Sequence, residues 1–263
     1  MAMSAVSRQT LFGSTRPKLQ SLLANLHRLS IEQDRAGAHP SPRHLLAGQE
    51  QLPATAELRK KLVDDHFRDK FVALDEDKAS AVYAILRAKG ATRIFEAGTS
   101  FGVSTLYLLA AMRDNLAVQP SAVISGLPPR VYGTEQEAEK IKIAYQHMQQ
   151  GFTDGGEATD IDREGQLQIL QGDILEEIPK QKFEKASLDA LLLDIWAELA
   201  LPILKLLEPA LKPGAVMFVD NVATTSSPYK DLYAYIDDPA NGWTNIVLPY
   251  TNGFGMAVKG AGK

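Results

Sequence analysis

Between residues 92 and 260 the chain alternates short apolar runs with longer segments whose apolar positions recur every three or four residues. The short runs are TRIFEAG, RVYGTE, LQILQG, DALLLD, AVMFVDN, TNIVLPY and FGMAVK, and their length and β-branched content read as strands. Helical periodicity falls at 102–113, 136–150, 174–179 and 197–211 between the first five runs, and at 227–237 before the sixth. This alternation predicts a Rossmann-like, doubly wound α/β fold. Its seven-stranded sheet should be mostly parallel, with helices on both faces. Only TNG separates the last two runs, a hairpin-length connection, so the C-terminal strand should be antiparallel. The segments DNLAVQPSAVISGLPP and FTDGGEATDIDREG read as surface loops.

Upstream the pattern is helical only. Leu19, Leu22, Leu23, Leu26 and Leu29 make a stripe over 16–32, which gives way to the turn-rich DRAGAHPSPR. Two further helices are expected at 54–72 and 76–89, the second capped by Gly90. The organisation this implies is an N-terminal helical extension, residues 1–57, and a main domain, residues 58–263. The extension could cover a site on the main domain or supply a homodimer contact.

Composition narrows the partners. The chain has 263 residues, enough for one large domain with a substantial core, and its 45% hydrophobic and 23% charged content is that of a globular protein. A net charge of −4 provides no field to attract nucleic acid or an anionic membrane. Absence of cysteine removes disulfides, thiolate catalysis and cysteine metal sites. With no apolar signal region at the N-terminus and no stretch long enough to span a bilayer, a soluble, cytoplasmic protein is expected.

The candidate chemistry lies at the strand ends. Ligands of open α/β sheets collect at the carboxyl ends of the strands. There Glu96 closes the first strand, Glu135 the second, Asp173 follows the third, Asp194 closes the fourth and Asp220-Asn221 the fifth. The first strand runs into a glycine turn, Gly98-x-x-x-Gly102, rather than the Gly-x-Gly-x-x-Gly of a dinucleotide site. A rim of carboxylates without a phosphate-binding lysine repels phosphates. It suits hydroxyls, an ammonium or a sulfonium.

Each residue has a structural reading beside the functional one. Gly98 would let the backbone bend, and Gly102 would let a ligand or a neighbouring strand approach; both could instead serve packing alone. Ser100 and Ser104 offer hydroxyls nearby. Glu135 can accept from both hydroxyls of a ribose, or join Glu137 and Glu139 as first-turn acids of a helix. Asp173, after Gly172, can touch a ligand or cap a helix in a box with Glu176. Asp194, Asp220 and Asn221 are three hard oxygen ligands that suit Mg²⁺, or residues that cap turns. Trp196, directly after Asp194, could wall a flat substrate or belong to the core. The histidines at 27, 39, 44, 66 and 147 have no metal spacing, and His66 alone merits attention near a site.

Together these motifs resemble the class I methyltransferases that use S-adenosylmethionine, and within them the metal-dependent O-methyltransferases of the catechol and caffeoyl-coenzyme-A type. FEAGTSFGVSTL looks like that family's first motif, VYGTE its second, LLLDIW its fourth-strand motif and VMFVDNV its Asp-Asn motif. The resemblance covers roughly residues 60–260. It implies S-adenosylmethionine as cofactor, with Glu96 at its amino end and the Gly98–Gly102 turn, with Ser100, along its methionine part. Ser104 would lie at the carboxylate, Glu135 at the ribose, and Gly172 and Asp173 near the adenine. Asp194, Asp220 and Asn221 would hold Mg²⁺ or another divalent cation and serve as the catalytic set, with Asp194 also beside the cofactor. Trp196 would face the acceptor, a small, catechol-like hydroxyl compound. One departure stands out: the family usually carries a lysine three residues after the first metal aspartate, and here that position is Ala197. Metal-independent transfer, or cofactor binding without catalysis, are the alternatives this leaves.

Overall fold

Strands with apolar residues on both faces must be covered on both faces, and the computed structural model arranges the chain accordingly. It describes residues 11–12, 15–37, 45–46, 55–118, 126–154, 157–158, 165–223 and 229–261. Three helices come first: α1 (Pro17–Arg35), α2 (Ala56–Phe67) and α3 (Glu76–Lys89). The alternating part follows as β1 (Arg93–Ala97), α4 (Val103–Val118), β2 (Arg130–Glu135), α5 (Ala138–Gly151), β3 (Leu167–Gln171) and α6 (Ile174–Lys180). It closes with β4 (Leu188–Leu193), α7 (Ala197–Leu207), β5 (Leu211–Asp220), α8 (Lys230–Ile236), β6 (Trp243–Leu248) and β7 (Phe254–Lys259).

The seven strands lie in the order β3-β2-β1-β4-β5-β7-β6. The first five are parallel, and β7 runs antiparallel to both its neighbours, β5 and β6. The expected antiparallel C-terminal strand is present. It is inserted between β5 and β6, so the sheet's edge is β6.

Period-two alternation divides the core. Ile94, Ala190, Leu192, Val216 and Phe218 point to one face, where they join α1, α3, α4 and α5 side chains. Phe95, Ala97, Leu191, Leu193, Met217 and Val219 point to the other, against α6, α7 and α8. Helix α4 is buried on every side from Val103 to Met112, as a helix between a sheet and an outer helical layer must be. The leucine stripe of α1, at Leu19, Leu22, Leu23 and Leu26, is part of that first core. Gly90 caps α3 in the left-handed conformation, its N–H bonded to the Arg87 and Leu86 carbonyls, as expected.

Some boundaries move. Helix α2 ends at Phe67 rather than near 72, and α7 at Leu207, where a short 3-10 turn replaces its last residues. Helix α4 runs on to Val118, taking the start of one expected loop, and a two-residue ladder, Thr153–Asp154 with Glu157–Ala158, occupies the other. Residues 119–125 and 159–164 of those loops, much of the DRAGAHPSPR connector, His39 and His44 lie outside the described residues. No described helix is long and apolar enough to cross a membrane.

Candidate functional site

Topology brings all five acidic positions onto one rim, because the five parallel strands share their carboxyl edge. Strand order reverses between β1 and β4, and ligands of such sheets bind at that switch point. Glu96 and the Asp194 that follows β4 flank it, and the chain is pinned there by Asp194 N–H to the Ala97 carbonyl, 3.1 Å.

The β1–β2 half of the rim is held by hydroxyls. Glu96 is fully buried. Its Oε2 accepts from Thr99 Oγ1 at 3.0 Å and Thr105 Oγ1 at 2.5 Å. Burial drives its pKa above the ordinary glutamate range, against the pull of Ser104, Thr105 and Thr99. Ser104 lies close enough to act on the carboxylate, but Oε1 has no partner of hydrogen-bond geometry. A buried carboxylate oxygen with no donor is costly, and it is the kind of acceptor a cationic ligand satisfies. Thr134 Oγ1 accepts from Gly98 N–H at 3.1 Å, locking the turn to β2.

The two turn glycines have different reasons. Both have positive φ, +96° at Gly98 and +84° at Gly102. A Cβ on Gly98 would lie 2.1 Å from the Asp194 carbonyl oxygen, so a side chain there would separate β1 from β4 at the switch point. A Cβ on Gly102 would lie 2.6 Å from Met148 Cε and 3.0 Å from Ala144 Cβ on α5. The approach expected at Gly102, by a ligand or a neighbouring strand, is made instead by a helix. Between them Ser100 takes a left-handed conformation, φ +48°, and its N–H donates to Glu135 Oε2 at 3.0 Å.

Glu135 Oε1 accepts from the Gln136 and Glu137 N–H groups at 2.8 and 3.0 Å, so three backbone donors fix a carboxylate that remains half-exposed. Asp173 is exposed and caps α6, its Oδ1 accepting from Leu175 N–H at 2.9 Å. Gly172, with φ +128°, bonds the Glu135 carbonyl and so sets the β3 end beside the β2 end.

The β4–β5 half is built differently. Asp220 Oδ1 accepts from Lys78 Nζ at 2.7 Å, and its Oδ2 from the Asn221 side-chain amide at 2.8 Å. Lys78 comes from the first turn of α3, is 1% exposed, and also pairs with Asp75 at 2.9 Å. Burial alone would discharge this lysine, but Asp220 and Asp75 outweigh it and hold its pKa above the ordinary value. Burial raises both Asp194 and Asp220, with Asp220 and Glu96 adding to the effect on Asp194 and Lys78 opposing it on Asp220. Asn221 holds a left-handed φ of +57° while its amide turns to Asp220.

The donor set expected for Mg²⁺ is therefore committed within the chain. Both Asp220 oxygens have partners, one of them an ammonium and the other the Asn221 side-chain amide. Among the described residues no group of three or more histidine, cysteine or acidic side chains has a metal-binding arrangement. With the Lys78 ammonium on Asp220, the three residues as folded do not fit a divalent ion unless that pair is broken.

The N-terminal helices reach the rim. Phe67, at the end of α2, meets Trp196 edge-on at 5.6 Å, and its carbonyl accepts from Lys140 of α5. His66 packs on Phe67 at 4.9 Å. Trp196 is half-exposed and precedes the first residue of α7, so a partly open aromatic pair stands beside Asp194. Thr99, Thr105, Thr134, Phe67, Asp75 and Lys78 are the site residues that motif reading missed.

With this geometry in view, the comparisons converge. Residues 95–222 match a family model described as a methyltransferase domain. The fold is shared over nearly the whole length with solved methyltransferase structures. A Staphylococcus aureus protein provisionally assigned as a caffeoyl-CoA O-methyltransferase is 16% identical, with 90% of this chain and 100% of that one covered and a TM-score of 0.55. The O-methyltransferase from Bacillus cereus, in complex with SAH, is 18% identical over 83% of this chain and 96% of that one, TM-score 0.55. The O-methyltransferase TomG from Streptomyces achromogenes, in complex with SAM, is 16% identical over 84% and 100%, TM-score 0.54. No curated protein matches the chain in sequence.

Proposed function

We propose that the chain is an S-adenosylmethionine-dependent O-methyltransferase that acts on a hydroxyl of a small, aromatic acceptor. The observation that carries this reading is the buried Glu96, with one oxygen unpartnered, at the switch point of a matched methyltransferase domain. When bound, S-adenosylmethionine supplies an electrophilic methyl group on a sulfonium. Glu96 faces its ammonium end, the Gly98–Gly102 turn with Ser100 and Ser104 follows its methionine part, and Glu135 receives the ribose hydroxyls. Gly172 and Asp173 border the base. Trp196 and Phe67 flank the acceptor, whose ring they hold beside Asp194. Fixing the acceptor oxygen in line with the methyl–sulfur bond is the main task, since positioning supplies much of the barrier reduction in such displacements.

A net charge of −4 and a carboxylate rim support a small neutral or phenolic acceptor rather than a polyanion. Calorimetry with S-adenosylmethionine and with NAD tests the cofactor: binding of the first alone is expected. A methyl-donor assay against catechols, phenols and amines, with and without EDTA, then tests the acceptor class. Cofactor binding without transfer to any hydroxyl would overturn the O-methyltransferase reading.

A further inference from the structure

Metal-assisted methyl transfer relies on a cation held by the rim carboxylates, and this chain already places a cation of its own on Asp220. Lys78 Nζ sits 2.7 Å from Asp220 Oδ1 and 2.9 Å from Asp75 Oδ2, and the residue is 1% exposed. It comes from a helix that precedes β1, while Asp220 ends β5, so the contact joins the N-terminal layer to the acceptor half of the rim. We propose that Lys78 is the resident cation of this site: its ammonium takes the place of a divalent ion on Asp220, and the acceptor half works without metal.

Three observations carry this. The ammonium is almost fully buried, and Asp75 anchors it one turn away, so it cannot swing into solvent to make room for an ion. Both Asp220 oxygens are already hydrogen-bonded, Oδ1 to Lys78 and Oδ2 to the Asn221 amide. Asn221 in turn is held in a left-handed conformation with its amide committed to that bond. A divalent ion would have to break all of these, and would have to expel a buried charge. Lys78 acts through Asp220 and is a positioning residue. One consequence concerns substrate: without a chelating ion, the acceptor needs a single reacting oxygen rather than a vicinal pair.

The inference deepens the methyltransferase reading and rests on it for the word acceptor, but its test uses no turnover. The full chain is titrated with Mn²⁺, following the free-ion electron spin resonance signal, alongside thermal melts with and without Mn²⁺. Wild type is expected to show no saturable binding below millimolar Mn²⁺. Lys78→Ala should gain saturable binding and a Mn²⁺-dependent rise in Tm, and adding Asp220→Asn should abolish both. Micromolar Mn²⁺ binding by wild type that is lost in Asp220→Asn would overturn the proposal. So would a folded Lys78→Ala that gains none. If Lys78→Ala does not fold, the wild-type titration decides alone, together with Lys78→Arg, which keeps the charge and should still exclude Mn²⁺. Failure of S-adenosylmethionine to bind on calorimetry would sink the methyltransferase reading and leave these outcomes interpretable.

Discussion

The two halves of the rim handle buried charge in opposite ways. At the β1–β2 end Glu96 is buried among hydroxyls, with one oxygen short of a partner. At the β4–β5 end Asp220 is buried with both oxygens satisfied, one by a cation from elsewhere in the chain. The first half is strained in the direction of a cationic ligand. The second is already complete. A site of this kind binds its ligand on the unfinished side and keeps a fixed charge on the finished one.

Removing a carboxylate should therefore have opposite effects on stability in the two halves, and the largest effect belongs to Asp220. Asp220→Ala leaves the buried Lys78 ammonium with only the half-exposed Asp75, and breaking a buried pair costs about 3–5 kcal/mol. Urea denaturation should show that loss. A loss below about 1 kcal/mol would mean that the pair is not desolvated as the structure has it. By contrast Glu96→Gln should leave stability unchanged or raised, since it removes a buried charge that has hydroxyl donors on one oxygen and none on the other. It should weaken S-adenosylmethionine binding by about tenfold or more, the worth of one hydrogen bond to a charged group. Calorimetry checks the affinity; unchanged binding would return the turn to packing alone.

The same residue sets a pH dependence with a definite sign. Because the folded pKa of Glu96 lies above its unfolded value, the folded state binds more protons between the two. The stability tied to that group is thus greatest below the ordinary glutamate range and falls as pH rises through the folded pKa. Thermal melts of wild type and Glu96→Gln should coincide at acid pH and separate toward neutrality, with the variant the more stable. Glu96 also helps to raise Asp194, so the variant relaxes that shift as well, and the effect on stability toward neutrality has the same sign. Melts that stay parallel across the range would show that burial does not raise the Glu96 pKa.

How much of each half could be read from the chain follows from where its parts lie. Glu96, Thr99 and Thr105 sit within ten residues, so a contiguous motif carries that half, including the hydroxyls that motif reading passed over. Strand ends and their rim were legible for the same reason, since apolar runs bounded by acids are local signals. Lys78 is 142 residues from Asp220, and no local pattern links them. A signal was nevertheless present. Lys78, Val82 and Leu86 are spaced by four, so the lysine stands on the buried stripe of α3 rather than on its polar face. A lysine on an apolar stripe needs a buried partner, and Asp220, read from its motif as a metal ligand, is that partner. Gly102 failed differently: positive φ and a missing side chain say that something comes close, but not whether it is ligand or helix.

The smallest effect concerns the boundary between the halves. Phe67 is delivered to the rim by α2, whose C-terminal carbonyl is tied to Lys140 of α5, and it touches Trp196 edge-on at 5.6 Å. Trp196 follows β4 and Asp194, which puts the aromatic pair on the half of the rim proposed for the acceptor. Phe67→Ala removes one wall and the edge-to-face contact, worth about 1 kcal/mol, and leaves the carboxylates in place. KM for an aromatic acceptor should rise about fivefold, as that energy allows, while the S-adenosylmethionine Kd stays constant. A shift in cofactor affinity with acceptor KM unchanged would place the aromatic wall on the wrong side of the switch point. It would also join the two halves into one continuous pocket. Because Phe67 is the residue by which the N-terminal helices meet Trp196, an effect confined to the acceptor would further assign to those helices the recognition of what is methylated, and to β1 and β2 the binding of what donates.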